Sequence, residues 1–301
     1  MKKIIALLVM LITVGGGIYA QDAEFRKPVV LVNYFKNAGP VRANEVEKLR
    51  ASIMSSLSNS GRLNIIDIAT EASLSEETKR RMREETIGDE LARSGEMRQL
   101  GANYILECTA NNVVITRKER TNKDKKETYY EAKMTYAINI TSTENGTVIF
   151  SQNYHSTESA DTESEARNET FNCGIACEVL NELAPLEGEV VDTDYTVNKK
   201  GKKMRTCYIK LGEIHGVKAG NFFNVCKAKF VAGQAIYEKI GKLEVKKVYE
   251  KISECEVYAD SEDVLNAMKE YLKMKTVSPE SAKPLMVRIR CGSGRLVHKL
   301  F

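Results

Sequence analysis

Between Lys27 and Phe35 the chain runs Pro28, Val29, Val30, Leu31 and Val32 without a charge before reaching Asn33, Tyr34 and Phe35. A stretch apolar on both faces predicts a buried, central strand. Gly39 and Pro40 then break the chain, and a helical pattern extends from Val41 to Asn59. In it Val46, Leu49, Ile53 and Leu57 recur on one face, which should pack on a sheet. Asn44 followed by Glu47 reads as a capping box, and Gly61 after Ser60 as a left-handed C-cap. Leu63 to Asp67 is a second short strand, so the opening unit is strand, helix, strand.

Ser73 to Thr86 is charged nearly all round, with Lys79, Arg80, Arg81 and Arg83 beside Glu76, Glu77, Glu84 and Glu85. Such a helix is peripheral, and its interleaved acids favour a solvated face over contact of the basic cluster with an anionic envelope surface. A short helix is expected over Asp89 to Leu100, closed by Gly101.

Three long strands follow, Asn103 to Arg117, Thr128 to Ser142 and Thr147 to Ser159. In the middle one Ala132, Met134, Tyr136, Ile138 and Ile140 alternate with polar residues, the pattern of an antiparallel sheet covered on one side. At Glu144, Asn145 and Gly146 a two-residue loop would set Ile140 opposite Ser151. A three-residue loop with Gly146 left-handed pairs Ile140 with Phe150 and Tyr136 with Tyr154, which keeps the apolar face continuous. The connection Lys118 to Glu127 alternates basic and acidic residues and is expected to be a mobile, solvated loop. A long helix from Thr162 to Leu183 should cover the sheet and end at Pro185.

After Pro185 to Gly188 the pattern shortens. Glu189 to Tyr195, Arg205 to Leu211, Phe222 to Phe230 and Gly241 to Tyr258 read as strands, Lys199 to Lys203 as a basic hairpin tip, Glu262 to Lys273 as a helix, and Leu285 to Arg290 as a last strand. Strands at this spacing suggest a small barrel or sandwich. The whole is an α+β chain: a mixed, largely antiparallel sheet covered by helices, then a small mostly-β barrel-like domain.

Residues 1–20 change the picture of where the chain works. Lys2 and Lys3 precede an apolar run from Ile4 to Val14, and the segment ends at Ile18, Tyr19 and Ala20. This is the pattern of a secretory signal peptide, and its apolar run falls short of the roughly 20 residues of a membrane helix. Cleavage near Ala20 leaves Gln21 first, without the thiol of a bacterial lipid anchor, and predicts a soluble, exported protein with no transmembrane segment. Losing Lys2 and Lys3 takes the formal charge from +4 to +2, which disfavours nucleic acid as a partner. The 281 residues remaining from 301 suit two domains, 21–185 and 186–301. With Trp absent and aromatics at 7%, a broad stacking platform for sugars or bases is disfavoured.

Seven cysteines survive processing: Cys108, Cys173, Cys177, Cys207, Cys226, Cys255 and Cys291. The odd number leaves at least one unpaired within the chain. Cys173 and Cys177, four apart on an expected helix, are too far from each other to bond. The cysteines read either as small buried hydrophobes or, in part, as members of a structural bridge involving the barrel cysteines.

The opening strand, the helix closed by Ser60-Gly61-Arg62, the strand ending at Asp67, and Leu100-Gly101-Ala102-Asn103-Tyr104-Ile105-Leu106 carry a resemblance. The first domain resembles the curli-assembly secretion component family and its relatives, the N-terminal domain of the Tol periplasmic protein and the lipoprotein activators of peptidoglycan synthases. Leu211-Gly212-Glu213-Ile214-His215-Gly216-Val217-Lys218-Ala219-Gly220, followed by Phe222, Phe223 and Val225, is similar to the C-terminal small barrel of a periplasmic flagellar-assembly protein. These resemblances imply envelope-assembly proteins that work through protein contacts. The curli channel is lipid-anchored and inserts membrane-spanning hairpins. This chain has the charged Lys118 to Glu127 where such a hairpin would fall, so pore formation is not carried over.

No catalytic signature stands against that reading. Of His155, His215 and His298, none has a Cys, Asp or Glu at metal-ligand spacing, and His215 sits in a turn. No nucleophile elbow, phosphate loop or zinc-protease motif is present. The sequons at Asn139, Asn145 and Asn168 are chance in a bacterial setting. Catalytic, cofactor-binding and metal residues are therefore none. The expected function is a non-enzymatic, exported scaffold or adaptor of the bacterial envelope, in the periplasm or beyond, that contacts envelope proteins. Self-association into a homo-oligomer is left open. The alternative is a binding module for peptidoglycan or another envelope polymer, with Lys118 to Glu127 and Lys199 to Lys203 as its surfaces.

Overall fold

The computed structural model describes residues 25–71, 97–98, 100–122, 125–231 and 234–291. The signal segment, the helix expected over Ser73 to Thr86, most of that over Asp89 to Leu100, and His298 lie outside the described residues.

The chain is α+β, built on two sheets. The first contains β1 (Val29–Val32), β2 (Lys36–Asn37), β3 (Asn64–Asp67), β4 (Tyr104–Asn122), β5 (Lys125–Ser142) and β6 (Val148–Ala160). Its order is β3-β1-β4-β5-β6, with β2 against β4. β1 runs parallel to β3 and β4, while β4, β5 and β6 form an antiparallel meander. The apolar run thus occupies an interior strand, as its pattern predicts. Val30 and Val32 enter the large core, and Leu31 enters a smaller one on the opposite face with Ile68, Met97, Ala102 and Ile105.

Helix α1 (Ala43–Asn59) lays Val46, Leu49, Ile53 and Leu57 on that large core. Its capping residues differ from the Asn44 and Glu47 expected. Arg42 is the N-cap, and its N–H donates to Glu45 Oε2 at 2.9 Å. Glu45 is selected because Arg167 reaches it from a distant part of the chain, donating from Nε at 2.6 Å and from Nη2 at 2.9 Å. That fork holds the Glu45 carboxyl below its ordinary range against the opposing effect of burial. A carboxylate with a depressed folded pKa stabilises above its unfolded value of about 4.5 and loses that contribution as pH falls through the lower folded value. Glu45→Gln is expected to cost about 1 kcal/mol near neutral pH. In paired melts, the gap from the native chain should shrink below pH 4.5.

The hairpin register follows the apolar-face argument: Ile140 pairs with Phe150, Tyr136 with Tyr154, and Gly146 is left-handed at φ 71. The Tyr136 and Tyr154 rings stack at 5.7 Å. The loop is not the three-residue one expected: Ser142 N donates to Thr147 O at 2.9 Å, so the turn spans 143–146, and a bulge after Ile140, with Thr141 opposite Val148, restores the register.

The single helix expected over Thr162 to Leu183 is two, α2 (Glu163–Glu169) and α3 (Cys177–Leu183). Side chains of other elements take the backbone groups that a continuous helix would have paired. Ser52 Oγ donates to Cys173 O at 2.9 Å, and Ile175 N donates to Ser56 Oγ at 3.0 Å. Thr170 Oγ1 turns instead to Ser156 O at 3.1 Å.

The second sheet has the order β7-β13-β10-β11-β12-β9-β8. Its strands are β7 (Glu187–Glu189), β8 (Thr196–Val197), β9 (Met204–Ile209), β10 (Phe222–Val231), β11 (Gln234–Val248), β12 (Ser253–Ala259) and β13 (Met286–Ile289). Expected as a small barrel or sandwich, it is a seven-stranded sheet whose ladder does not close into a barrel. Its ends approach at an isolated bridge, Val190 to Ile209, flanked by Val191 N donating to Tyr208 O and Lys210 N to Glu189 O, both at 2.8 Å. The strand expected over Gly241 to Tyr258 is a hairpin of β11 and β12, and that over Glu189 to Tyr195 shares only its first residue with β7. Helix α4 (Ser261–Val277) packs Val264, Leu265, Ala267 and Met268 against the inner face. Gly241 makes room for it, since a Cβ there would lie 2.3 Å from Val264 Cγ2.

Candidate functional site

The two stretches that carried separate resemblances meet. At the end of α1 the turn Ser60-Gly61-Arg62 lies against the turn that follows β9, where Glu213–His215 forms a short 3-10 helix. Gly61 and Gly216 are both left-handed, at φ 67 and φ 81. A Cβ on Gly216 would stand 2.6 Å from Arg62 Cγ and 2.9 Å from Ser60 O, so only glycine permits the approach. Lys218 Nζ donates to Asn59 O at 2.7 Å, and the Phe25 and His215 rings lie 4.4 Å apart.

Arg62 is the centre of this junction. It is 4% exposed and donates to Leu180 O at 3.1 Å, to Asn181 Oδ1 at 2.7 Å and to Ala184 O, so it closes the end of α3. Burial draws its pKa down to about 10, which leaves it charged at neutral pH. Helix α3 is tied in turn to the end of β13 by the disulfide Cys177–Cys291, while Asn181 Nδ2 donates to Cys291 Sγ at 3.0 Å. The bridge therefore spans from the first sheet's helical cover to the second sheet, across 114 residues of sequence. A native bridge of this kind typically contributes about 2–4 kcal/mol by restricting the unfolded chain. Cys177→Ser is expected to lower stability by that amount in oxidising buffer and to leave the reduced protein's melting point almost unchanged.

His215 holds the turn as well. Its Nδ1 accepts the Gly212 N–H at 2.9 Å, and burial holds its pKa below the ordinary 6.5. Proton uptake there is disfavoured by folding, so this contribution is present above pH 6.5 and is lost as pH falls below it.

The remaining chemistry is structural. Arg50 closes the ends of β1 and β3, donating to Asn33 O at 3.1 Å, to Val32 O at 3.3 Å and to Asp67. Burial alone would raise the Asp67 carboxyl, but the hydrogen bonds from Arg50 and Ala69 outweigh it and hold it low. Cys108, Cys173, Cys207, Cys226 and Cys255 are unbonded and buried. Burial pushes the thiols of Cys173 and Cys207 up to about 11 and about 12, the opposite of an activated nucleophile. Cys173 and Cys177 are not bonded to each other, although Cys173 lies between α2 and α3 and not on the continuous helix expected, on which their separation depended. His155 lies exposed on β6. Among the described residues no group of three or more His, Cys, Asp or Glu is placed to hold a metal.

The stretch Lys118 to Glu127 is not the mobile loop expected. β4 extends to Asn122 and β5 begins at Lys125, and the two pair as a ribbon, Lys118 with Tyr129, Arg120 with Glu127 and Asn122 with Lys125. Its charge alternation is a cross-strand pattern. Lys118 Nζ meets Glu131 at 2.6 Å, Arg120 meets Glu127 at 2.9 Å, and the Arg120 guanidinium lies 5.7 Å from the Tyr129 ring. These basic groups are neutralised within the ribbon, which removes much of their value for an anionic polymer. Lys199 to Lys203 is a basic hairpin tip as predicted, turned by Asn198, whose Oδ1 accepts from Lys202 N and Lys203 N at 2.9 and 3.2 Å. Sequence reasoning missed the junction at Arg62. Both of its turns were visible as Gly-containing motifs, but nothing in either one points to the other.

Comparison with known proteins gives a family match over part of the chain. The model of the peptidoglycan-synthase activator LpoB matches residues 16–155, somewhat under half of the chain. Of the families that the first part resembles, this is the one whose model matches. No curated protein matches the chain. Solved structures are also similar, three of them as follows. The lipoprotein GNA1162 from Neisseria meningitidis is 16% identical, over 52% of this chain and 97% of that one, at TM-score 0.31. The LpoB C-terminal domain from Escherichia coli is 16% identical over 46% and 87%, at 0.30. A PelC dodecamer from Paraburkholderia phytofirmans is 14% identical over 52% and 87%, at 0.29. Scores this low carry no argument about function. An activator of an enzyme is not that enzyme, so the family match supports a non-enzymatic chain. Among the described residues no helix is long and apolar enough to cross a membrane.

Proposed function

We propose that this chain is an exported, non-enzymatic adaptor of the bacterial envelope whose first sheet engages a peptidoglycan synthase through protein contacts. The observation that carries it is the family match over residues 16–155. The unactivated thiols and the structural use of His215, Arg50 and Asp67 agree with it. Division into domains 21–185 and 186–301, cleavage near Ala20 and a periplasmic location belong to the same reading. So do the finer likenesses to curli-assembly and flagellar-assembly components, which supply no cargo.

In-cell crosslinking followed by envelope fractionation tests it. The expected result is a crosslinked pair of this chain and a cell-wall synthase in an envelope fraction. Recovery of the chain in the cytoplasm, or crosslinks confined to proteins unconnected with wall synthesis, would overturn it. The alternative, a module for peptidoglycan or another envelope polymer, predicts retention with purified cell wall on pelleting. The pairing of Lys118 with Glu131 and of Arg120 with Glu127 withdraws two of that surface's cations from such a role.

A further inference from the structure

The second sheet has one face on the core with α4 and one face open. On the open face Phe222 and Tyr258 meet edge to face at 5.6 Å, 39% and 45% exposed. Around them stand cations. Arg290 Nη1 donates to Tyr258 Oη at 3.2 Å, Lys242 Nζ lies 5.7 Å from the Tyr258 ring, and the Arg288 guanidinium lies 4.9 Å from the Tyr237 ring. The register explains the grouping. β13, β10 and β11 place Arg288, Asn224 and Lys242 side by side, and Arg290 N donates to Phe222 O at 2.8 Å.

The acids of this face are already engaged. Glu187 pairs with Arg288 at 3.1 Å, and Glu244 and Glu256 share Lys246 at 2.8 and 3.2 Å. Among the described residues Lys242, Lys239 and Arg290 make no ion pair. At the centre, Asn224 Oδ1 is buried without a hydrogen-bond donor among the described residues. The face therefore carries exposed aromatics, uncompensated positive charge and an unsatisfied acceptor. Exposed Tyr, Phe and Arg together are the composition of a protein-binding hot spot rather than of a solvated surface.

We propose that the open face of the second sheet, centred on Phe222, Tyr258, Lys242 and Arg290, docks an acidic segment of a partner protein that carries aromatic side chains. The proposal rests on the reading of the chain as one that works through protein contacts, and it names the chemistry of a partner for a surface outside residues 16–155. Acidic side chains would meet Lys242 and Arg290, and aromatic ones would pack against Phe222 and Tyr258. The rim charges make association dependent on salt.

The test uses a fluorescent glutamate–tyrosine copolymer as probe, titrated with the full mature chain. Saturable binding is expected, weakening several-fold when salt rises from about 50 to about 200 mM. Lys242→Glu with Arg290→Glu should weaken it at least tenfold, and Phe222→Ala should weaken it with less change in salt dependence. Lys200→Glu with Lys202→Glu, on the hairpin tip, should leave it unchanged. Melting points of all variants are measured alongside, and Lys242→Gln with Arg290→Gln replaces the reversed pair if that pair melts early. Absence of saturable binding overturns the proposal, as does loss of binding in the tip variant alone. Retention on purified cell wall that disappears in the reversed pair, without copolymer binding, overturns it in favour of a polymer ligand. The synthase crosslink described above is read on the same variants. Its persistence without copolymer binding sinks this proposal alone, and its absence from the native chain sinks the functional reading.

Discussion

Leu31→Asp is expected to abolish the native fold. Leu31 has no solvent exposure and lies on an interior strand bonded on both sides, by β3 and by β4. Its side chain enters the small apolar core of Ile68, Met97, Ala102 and Ile105, whose members offer no cation to pair a carboxylate. Isolated burial of that charge costs several kcal/mol even after relaxation, a large share of the roughly 5–15 kcal/mol that holds a typical domain together. Leu31→Ala separates polarity from volume, since it should cost about 3 kcal/mol and leave a folded, less stable chain. Circular dichroism and a melting curve check both. A cooperative, near-native melt for the aspartate variant would contradict this placement of the strand.

Arg62→Ala ranks second. The guanidinium donates to Leu180 O, Asn181 Oδ1 and Ala184 O from a buried position, and its stem fills the space that Gly216 leaves open. Hydrogen bonds from a charged donor contribute about 1.5–3 kcal/mol each, and losing them strands buried carbonyls. A loss of about 4–6 kcal/mol is expected, or a melting point lower by about 10–20 °C. Arg62→Lys should recover part of it, because one ammonium can satisfy one or two of the three acceptors. Hydrogen exchange would show faster opening at the end of α3 and in the turn around Gly216 while β4 and β5 keep their protection. A uniform increase over the whole chain would place Arg62 in the general core and not at the junction.

These two positions also mark how far the sequence could be read. The strand at Pro28 to Phe35, the buried face of α1 and the register pairing Ile140 with Phe150 follow from periodicity, because burial on a known face constrains which residues can sit there. The ribbon at Lys118 to Glu127 did not follow. Both of its faces are wet, so the apolar alternation that signals a strand is missing, and its order comes from cross-strand ion pairs such as Arg120 with Glu127. The helix expected through residues 170–176 fails for a related reason. Ser52 and Ser56, more than a hundred residues earlier, bind the backbone of that segment, and no local pattern contains them.

The junction is the clearest case of what sequence order conceals. Ser60-Gly61-Arg62 and the turn at Gly216 each read as a local cap, yet their glycines let the two sheets approach, and Arg62 and Cys177–Cys291 hold them there. The cysteine reading left a structural bridge open without its partner. The partner of Cys177 is the last cysteine in the chain. The cationic, aromatic face around Tyr258 was hidden in the same way: Phe222, Lys242, Tyr258 and Arg290 are spread across separate strands and the end of β13, and carry no motif.

A chain that is an adaptor should change another enzyme's rate and turn over nothing itself. The most direct measurement is glycan polymerisation by a purified peptidoglycan synthase from the same cell, with and without the mature chain at saturating concentration. A faster rate is expected with the chain present, no product from the chain alone, and no stimulation by Leu31→Asp. An unchanged rate at saturation, or product formed by the chain without the synthase, would contradict the adaptor role.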